Sequence, residues 1–288
     1  MKTYRIAGVK FKIEYLHPMF FDKNIDQYEI HDNSPIDYTF LSSVHDNIEI
    51  PQLNFRATLN PNTKIANDSF TTYILIADRN QKPMALIKHD KSSSCVHYFY
   101  QPNNIKKFAE MEYTLQGLMF MDIMQSKHFL PIHASAIAYQ DQAILFSAPS
   151  QTGKSTQTRF WKERYPHVSI INDDKPLLEF QHHEIYVHGS PYSGKGIQNI
   201  KTHVKLKAII FLKQSNNNSI KELSIEEKIT KLINNIHRPI DEKTWDHVLK
   251  QIEYLVEHTI IIELEAKLDP ETVSLVHDYL FPEECHEN

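Results

Sequence analysis

Apolar and polar residues alternate along much of the first hundred positions, which is the pattern of half-buried β-strands. The clearest examples are residues 4–15, residues 71–90 with a turn centred on Asn80, and residues 94–100. Residues 33–40 and 59–69 are rich in turn-forming residues and favour loops. We therefore predict a mainly antiparallel β module of unknown role over residues 1–104.

The pattern becomes helical at residues 104–129, where the larger apolar side chains fall mostly on one face. They are Phe108, Met111, Leu115, Leu118, Met119 and Met124. We place this helix at residues 105–130, as a bridge to the second part of the chain.

From residue 131 onward, short apolar runs alternate with helical patterns. The runs at 143–148, 167–172, 206–214 and 259–265 predict strands, and 155–165, 224–236, 241–258 and 269–280 predict helices. Ser224 and Glu227 have capping-box spacing at the start of the second of these helices. The pattern over residues 131–288 therefore predicts a domain of the α+β or α/β class, in which helices pack on an apolar sheet.

Composition excludes several classes of protein. The 288 residues carry a formal net charge of −5, which does not favour nucleic acid or an anionic membrane as a partner. Cys95 and Cys285 are the only cysteines and the 17 histidines are scattered, so neither a disulfide framework nor a zinc site is predicted. The chain shows no signal peptide and no apolar run long enough to span a membrane, so the cytoplasm is the expected location.

The segment 143–157, AILFSAPSQTGKSTQ, is similar to the phosphate-binding pattern G-x-x-x-x-G-K-[ST]. Ala148 stands where the pattern has its first glycine, and Gln151 where a second glycine is common. Gly153, Lys154 and Ser155 are intact: the glycine lets the chain wrap closely round an anion, the lysine reaches phosphates, and the serine hydroxyl reaches Mg²⁺. The predicted nucleotide-binding residues are Ser150, Gln151, Thr152, Gly153, Lys154, Ser155 and Thr156.

Three further segments carry candidate chemistry. Asp173 and Asp174 end an apolar strand, where one carboxylate can hold Mg²⁺ and the other can accept a proton. Mutual repulsion is expected to raise the pKa of one of them. Lys195 lies in the small-residue segment 188–196, which either covers phosphates or is a plain surface loop. His133 is either a core histidine or a site residue that a hairpin brings to the loop.

Four of the six glycines, at 153, 189, 194 and 196, suggest close backbone approaches in this region.

Taken in order, the segments IHAS, LFSAPSQTGKST, IINDDKPLL and GSPYSGK resemble the C-terminal catalytic domain of HPr kinase/phosphorylase. That domain shares its nucleotide-binding architecture with phosphoenolpyruvate carboxykinase. The resemblance covers residues 131–214 well, the rest of the C-terminal part loosely, and residues 1–104 not at all. The variants NDDKPLL and GSPYSGK look more like the HPr-kinase-like proteins of peptide-modification gene clusters.

The resemblance implies a mixed-sheet kinase-like domain at 131–288 that uses ATP, or another nucleoside triphosphate, and Mg²⁺. It implies that Lys154 and the loop amides bind the nucleotide and that Ser155 and Asp174 bind Mg²⁺. It also implies that Asp173, together with Asp174, activates the acceptor hydroxyl. His133 matches a histidine near the reaction centre, and Lys195 would assist at the phosphates. The family's arginine-containing signature, which serves the reverse, phosphorolytic reaction, has no clear copy, so neither phosphorylase activity nor recognition of HPr is predicted. The hypothesis is a kinase for a hydroxyl acceptor, with a serine of a peptide or protein favoured over a small hydroxylated molecule.

Other hypotheses remain open. One is a small-molecule kinase of the same fold, because fold does not determine substrate. Another is a nucleotide-binding regulatory protein without turnover, which the altered loop favours. A third is a structural β module with accidental motif matches. A homo-oligomer is compatible with each of them.

Overall fold

The computed structural model describes residues 1–58, 60–149, 152–192, 198–267 and 269–282. The chain divides into two compact units, Met1–Gly117 and Leu118–Asn288. Within the described ranges, no helix has both the length and the apolar character needed to cross a membrane.

The N-terminal unit is built on one sheet, which has eight strands among the described residues. They are β1 (Lys2–Ile6), β2 (Val9–Ile13), β3 (Tyr38–Val44), β4 (Arg56–Ala57), β5 (Thr63–Asn67), β6 (Thr71–Ala77), β7 (Pro83–Asp90) and β8 (Cys95–Tyr100), and helix α1 (Pro18–Ile25) follows β2. The strand order is β1-β2-β3-β8-β7-β6-β5-β4. Strand β3 pairs in parallel with β2 and β8, and the other neighbours are antiparallel. The sheet is therefore mixed, with antiparallel pairing as predicted everywhere except at β3.

Two local predictions for this unit need correction. Residues 4–15 form a hairpin, because Ala7 (φ 45°) and Gly8 (φ 82°) adopt the left-handed conformations of a tight turn. The predicted loops at 33–40 and 59–69 contain the start of β3 and the whole of β5. Most of their turn-forming residues precede the strands, and pairing with distant neighbours supplies the strand hydrogen bonds.

The C-terminal unit contains the second half of helix α2 (Phe108–Ser126), within which the boundary between the units falls. Its strands are β9 (Phe129–Pro131), β10 (Ala134–Tyr139), β11 (Gln142–Ser147), β12 (Ser169–Asn172), β13 (Leu177–Gln181), β14 (Glu184–His188), β15 (His203–Gln214), β16 (Ser219–Glu222) and β17 (Ile260–Ala266). Its other helices are α3 (Lys154–Arg164), α4 (Ile225–Asn235), α5 (Glu242–His258) and α6 (Glu271–Leu280).

These strands form a second mixed sheet in the order β12-β10-β11-β15-β14-β13-β9, and β17 pairs with β15 and β16. Strand β15 runs parallel to β11 and β17, and the other pairings are antiparallel. The predicted combination of helices with an apolar mixed sheet is confirmed.

Helices cover both faces of this second sheet because successive strand residues point to opposite sides. From β11, Ala143 and Leu145 enter the core that is shared with α4 and α5. Ile144 and Phe146 enter the opposite core, shared with α3 and α6. Helix α3 therefore lies on one face of the sheet, over β10 and β11, and β12 forms the edge beside it.

Candidate functional site

Three neighbouring strands bring the predicted site residues to one end of the second sheet. Strand β10 lies between β11 and β12 and is antiparallel to both. Its first residue, Ala134, is therefore opposite Ser147 at the end of β11, and Ala136 is opposite Asn172 at the end of β12. His133, the loop after β11 and the two aspartates after β12 consequently meet at this end of the sheet.

The loop after β11 leads directly into α3. Gly153 is the N-cap residue of α3 and has φ 111° and ψ 17°, a left-handed conformation that costs other residues roughly 1–2 kcal/mol. The helix begins at Lys154, and the amide groups of its first turn have no acceptor within the helix. The Thr152 amide lies 3.4 Å from the Pro149 carbonyl oxygen. Ser150 and Gln151, two of the predicted nucleotide-binding residues, lie outside the described residues.

Lys154 is buried at the start of α3, with 8% of the residue exposed. Its ammonium group donates to the carbonyl oxygen of Ala148 at 2.9 Å, and that of Pro149 lies at 3.5 Å. Burial lowers the pKa of Lys154, and the charges of Asp174 and Asp173 act against this shift. The ammonium group is therefore held against the backbone of the loop, close to both carboxylates.

Asp173 joins the loop to the neighbouring strand. Its Oδ1 accepts a hydrogen bond from the Ser135 hydroxyl at 2.8 Å, and its Oδ2 accepts one from the Ser155 hydroxyl at 3.1 Å. The resemblance placed Ser155 with Asp174, whereas the structure places it with Asp173. Ser135 belongs to the quoted IHAS segment, but its sequence context alone did not identify it as a site residue.

Asp174 pairs with His133, whose Nε2 lies 3.3 Å from its Oδ1. Burial raises the pKa of Asp174, but the hydrogen bond from His133 and the charges of Lys175, His133 and Lys154 outweigh it, so the net shift is downward. The expectation that repulsion would raise a pKa therefore does not hold for Asp174. Its carboxylate stays ionised because cationic and hydrogen-bonding groups surround it.

Asn172 holds the two aspartates in place, a role that the sequence analysis missed. Its side chain is fully buried, and its Oδ1 accepts hydrogen bonds from the Asp174 amide at 2.9 Å and the Lys175 amide at 2.7 Å. Its Nδ2 donates to the Ser190 carbonyl oxygen at 2.8 Å. An asparagine just before two aspartates is a weak signal for such a turn, because Asn side chains often bond to backbone two residues on.

The described part of the segment 188–196 supports this turn. Ser190 is fully buried and donates to the Lys175 carbonyl oxygen at 2.7 Å. A Cβ on Gly189 would lie 2.1 Å from the Ile200 carbonyl oxygen and 3.0 Å from that of Ile171. The predicted close approach is therefore observed at Gly189, where it joins two parts of the backbone. Lys195 lies outside the described residues.

The described residues contain no group of three or more His, Cys, Asp or Glu side chains that could hold a metal ion. The Ser155 and Asp173 oxygens nevertheless suit Mg²⁺, which prefers hard oxygen ligands and shares its shell with phosphates. Adjacent ligands of an octahedral Mg²⁺ lie about 3.0 Å apart, given ligand distances of about 2.1 Å. The 3.1 Å between Ser155 Oγ and Asp173 Oδ2 fits this spacing.

A family model described as "SynChlorMet cassette protein ScmC" matches residues 103–254, just over half of the chain. The chain belongs to this family. The matched range of the ScmC family member contains β10, β11, β12 and α3, and with them every predicted site residue. No curated protein matches the chain.

Matches among solved structures include one titled "Structure of the Hpr(Ser) kinase/phosphatase from Coxiella burnetii". The two chains are 12% identical over 43% of this chain and 96% of that chain, with a TM-score of 0.26. A TM-score this low supports no inference about fold or function.

Proposed function

We propose that this protein is an ATP- and Mg²⁺-dependent phosphotransferase that acts on a hydroxyl acceptor, with a serine of a peptide or protein favoured. The observation that carries the proposal is the hydrogen bond between Ser155 and Asp173. It joins the Gly-Lys-Ser start of α3 to a strand-end carboxylate whose charge acts on the buried ammonium group of Lys154. Phosphoryl transfer needs this combination of a cation, helix N-terminal amides and a carboxylate–hydroxyl pair.

The proposed roles follow from the contacts. Lys154 and the amides at the start of α3 bind the phosphates of the nucleotide. Ser155 and Asp173 hold Mg²⁺, which neutralises charge on the phosphates when bound. Asp174, oriented by His133, accepts the proton of the attacking hydroxyl. The acceptor oxygen bonds to the terminal phosphorus as the bridging P–O bond breaks, and the products are a phosphomonoester, ADP and a proton.

A thermal melt with and without ATP·Mg²⁺ tests the nucleotide site. A ligand at about 100 times its Kd adds about 2.7 kcal/mol of stability, which raises the Tm of a unit of this size by about 5–10 °C. We expect this shift in the wild type and its loss in Lys154→Met, which removes the ammonium group and keeps a long apolar chain. Lys250→Met, on the exposed side of α5, is the matched control and should keep the shift.

Three outcomes separate the alternatives. A shift that persists in Lys154→Met would contradict binding at this loop. A shift without phosphorylation of any serine peptide or small alcohol would favour the nucleotide-binding regulatory protein. A wild type that ATP does not stabilise would leave only a structural role.

Substituting Asp173 and Asp174 one at a time distinguishes the roles of the two carboxylates. Asp173→Asn should raise the Mg²⁺ concentration needed for ATP-induced stabilisation by roughly tenfold or more, because it removes a full charge next to the cation. Asp174→Asn should change this requirement much less and should mainly slow transfer. The reverse pattern in a Mg²⁺ titration would assign the metal to Asp174, as the family resemblance implied.

The remaining parts of the proposal concern partners and location. The acceptor is a peptide, a protein or a small hydroxylated molecule, and nucleic acids and membranes are not proposed as partners. We keep the cytoplasm as the proposed location and a homo-oligomer as a proposed assembly.

A further inference from the structure

A pocket of about 320 Å³ opens beside the candidate site, between α3 and the edge strand β12. Ser155 and Asp173 line it near the N-terminal end of α3. Arg159 and Lys162 line it along the helix, and Ile170 lies on the strand side. The pocket therefore begins at the two residues proposed to hold Mg²⁺ and continues away from the phosphate-binding loop.

The two basic side chains lie on the same face of α3 as Ser155, because positions four and seven residues further on share a helix face. Arg159 has one carboxylate partner among the described residues, Glu163 at 3.6 Å, and the two side chains are 63% and 61% exposed. Exposed pairs of this kind contribute little. Lys162 forms no ion pair with any described residue.

Four other lysines of the same unit are paired with carboxylates. Lys213 contacts Glu265 at 2.7 Å, and Lys221 contacts Glu227 at 2.6 Å. Lys231 contacts Glu263, and Lys205 contacts Glu184. Arg159 and Lys162 lack such a close carboxylate partner among the described residues, and both line the same pocket. Their unneutralised charge is complementary to an anionic ligand.

We propose that this pocket binds the acceptor, and that the acceptor is a serine-containing peptide segment with acidic side chains close to the serine. The inference rests on the proposed function for its transfer step. With a rise of 1.5 Å per residue, Arg159 and Lys162 lie about 6 and 10 Å along the helix from Ser155. An extended peptide advances about 3.3 Å per residue, so the preferred acidic side chains lie two or three residues from the serine.

Nucleotide phosphates are expected at the other side of Ser155, where Lys154 and the first-turn amides lie. The acceptor hydroxyl must reach the terminal phosphate from the side of the carboxylates. The pocket is on that side, because Asp173, the chain neighbour of the proposed base Asp174, is part of its lining. Occupation of the pocket by the nucleotide itself is the competing outcome that the experiment must exclude.

The test uses two fluorescein-labelled peptides, each with a single serine. At the positions two and three residues before and after this serine, one peptide carries Glu and the other carries Gln. Binding is measured by fluorescence anisotropy at low salt, and ATP-induced stabilisation is measured in parallel on the same proteins. The variants are Arg159→Ala/Lys162→Ala, the charge reversal Arg159→Glu/Lys162→Glu, and the control Lys243→Ala/Lys250→Ala on α5.

We expect the wild type and the control to bind the Glu peptide about threefold to tenfold more tightly than the Gln peptide. The alanine pair should lose this preference and the charge reversal should invert it, while the ATP-induced Tm shift stays unchanged. Equal binding of the two peptides by the wild type, or a preference that survives both double substitutions, would overturn the proposal.

Loss of the ATP-induced shift in the alanine pair, with the control unaffected, would assign the pocket to the nucleotide and would also overturn the proposal. An ATP shift that is absent already in the wild type would instead contradict the proposed function. The peptide measurement is read independently of ATP, so the two failures are distinguishable.

Discussion

The buried amide of Asn172 gives the sharpest test of how the two aspartates are held. In Asn172→Ala, the amides of Asp174 and Lys175 lose their acceptor, and the Ser190 carbonyl oxygen loses a donor. Among the described residues of the candidate site, no other side chain forms as many hydrogen bonds as that of Asn172.

The magnitude follows from the surroundings of each group. Ser190 is fully buried, so its unpaired carbonyl oxygen should cost about 1–3 kcal/mol. The two amides belong to half-buried residues that water can partly solvate, so we expect about 0.5–1 kcal/mol for each. These costs are coupled because they share one side chain, and we expect a total destabilisation of about 2–4 kcal/mol.

Tryptophan fluorescence during urea unfolding is a suitable assay. Trp161 and Trp245 are the only two tryptophans of the chain, and both lie in the C-terminal unit. The signal therefore follows the unit that contains the site and does not follow the N-terminal unit. Asn235→Ala is the control, because that side chain makes one local hydrogen bond, to the Lys231 carbonyl oxygen.

A loss of less than about 0.5 kcal/mol in Asn172→Ala would refute the reasoning, because ordinary surface changes have effects of this size. Asn172→Asp adds a second check. It keeps an acceptor for the two amides but places a carboxylate against the Ser190 carbonyl oxygen, so burial should raise the pKa of the new carboxyl group. The deficit of this variant should therefore shrink as pH falls and the group becomes protonated.

Two further predictions concern the same unit. Gly189→Ala should destabilise it by about 2–4 kcal/mol in the same urea assay, because the new Cβ meets the Ile200 and Ile171 carbonyl oxygens of the backbone; an unchanged midpoint would show that the backbone can move apart. Burial, assisted by the charge of Lys175, lowers the pKa of His237 from 6.5 to about 4, so the folded unit binds fewer protons than the unfolded chain between these values. Stability should fall as pH decreases through this window, and His237→Gln should flatten that part of the curve; an identical curve would exclude His237 as the cause.

Much of the second sheet could be predicted from local sequence patterns. Apolar runs marked β11, β15 and β17, and the spacing of Ser224 and Glu227 marked the start of α4, where both capping hydrogen bonds are present. Such signals depend on residues within one or two turns of each other, so a single sequence contains them. Strand β16 (Ser219–Glu222) was not predicted, because its residues are mostly polar and its partner β17 lies some forty residues away.

In the candidate site too, local sequence identified the residues, whereas contacts between distant segments determined their partners. Gly153, Lys154, Ser155, Asp173 and Asp174 were recognisable because each carries a chemical group at a strand or helix end. The partners of these residues were not: Ser155 bonds to Asp173 rather than Asp174, His133 pairs with Asp174, and Asn172 supports the turn. The contacts of Ser155 and His133 with the aspartates form because antiparallel β10 lies between β11 and β12, whereas Asn172 acts on its own turn.

The sequence by itself determined which residues can bind phosphate, hold a cation or accept a proton, since those properties belong to the side chains and to nearby helix and strand ends. Only the tertiary structure decided which of these groups meet, how their pKa values shift, and that Arg159 and Lys162 share a pocket with Asp173. The physical reason is range: propensity and periodicity act over a few residues, whereas strand order and burial bring together groups that are far apart along the chain.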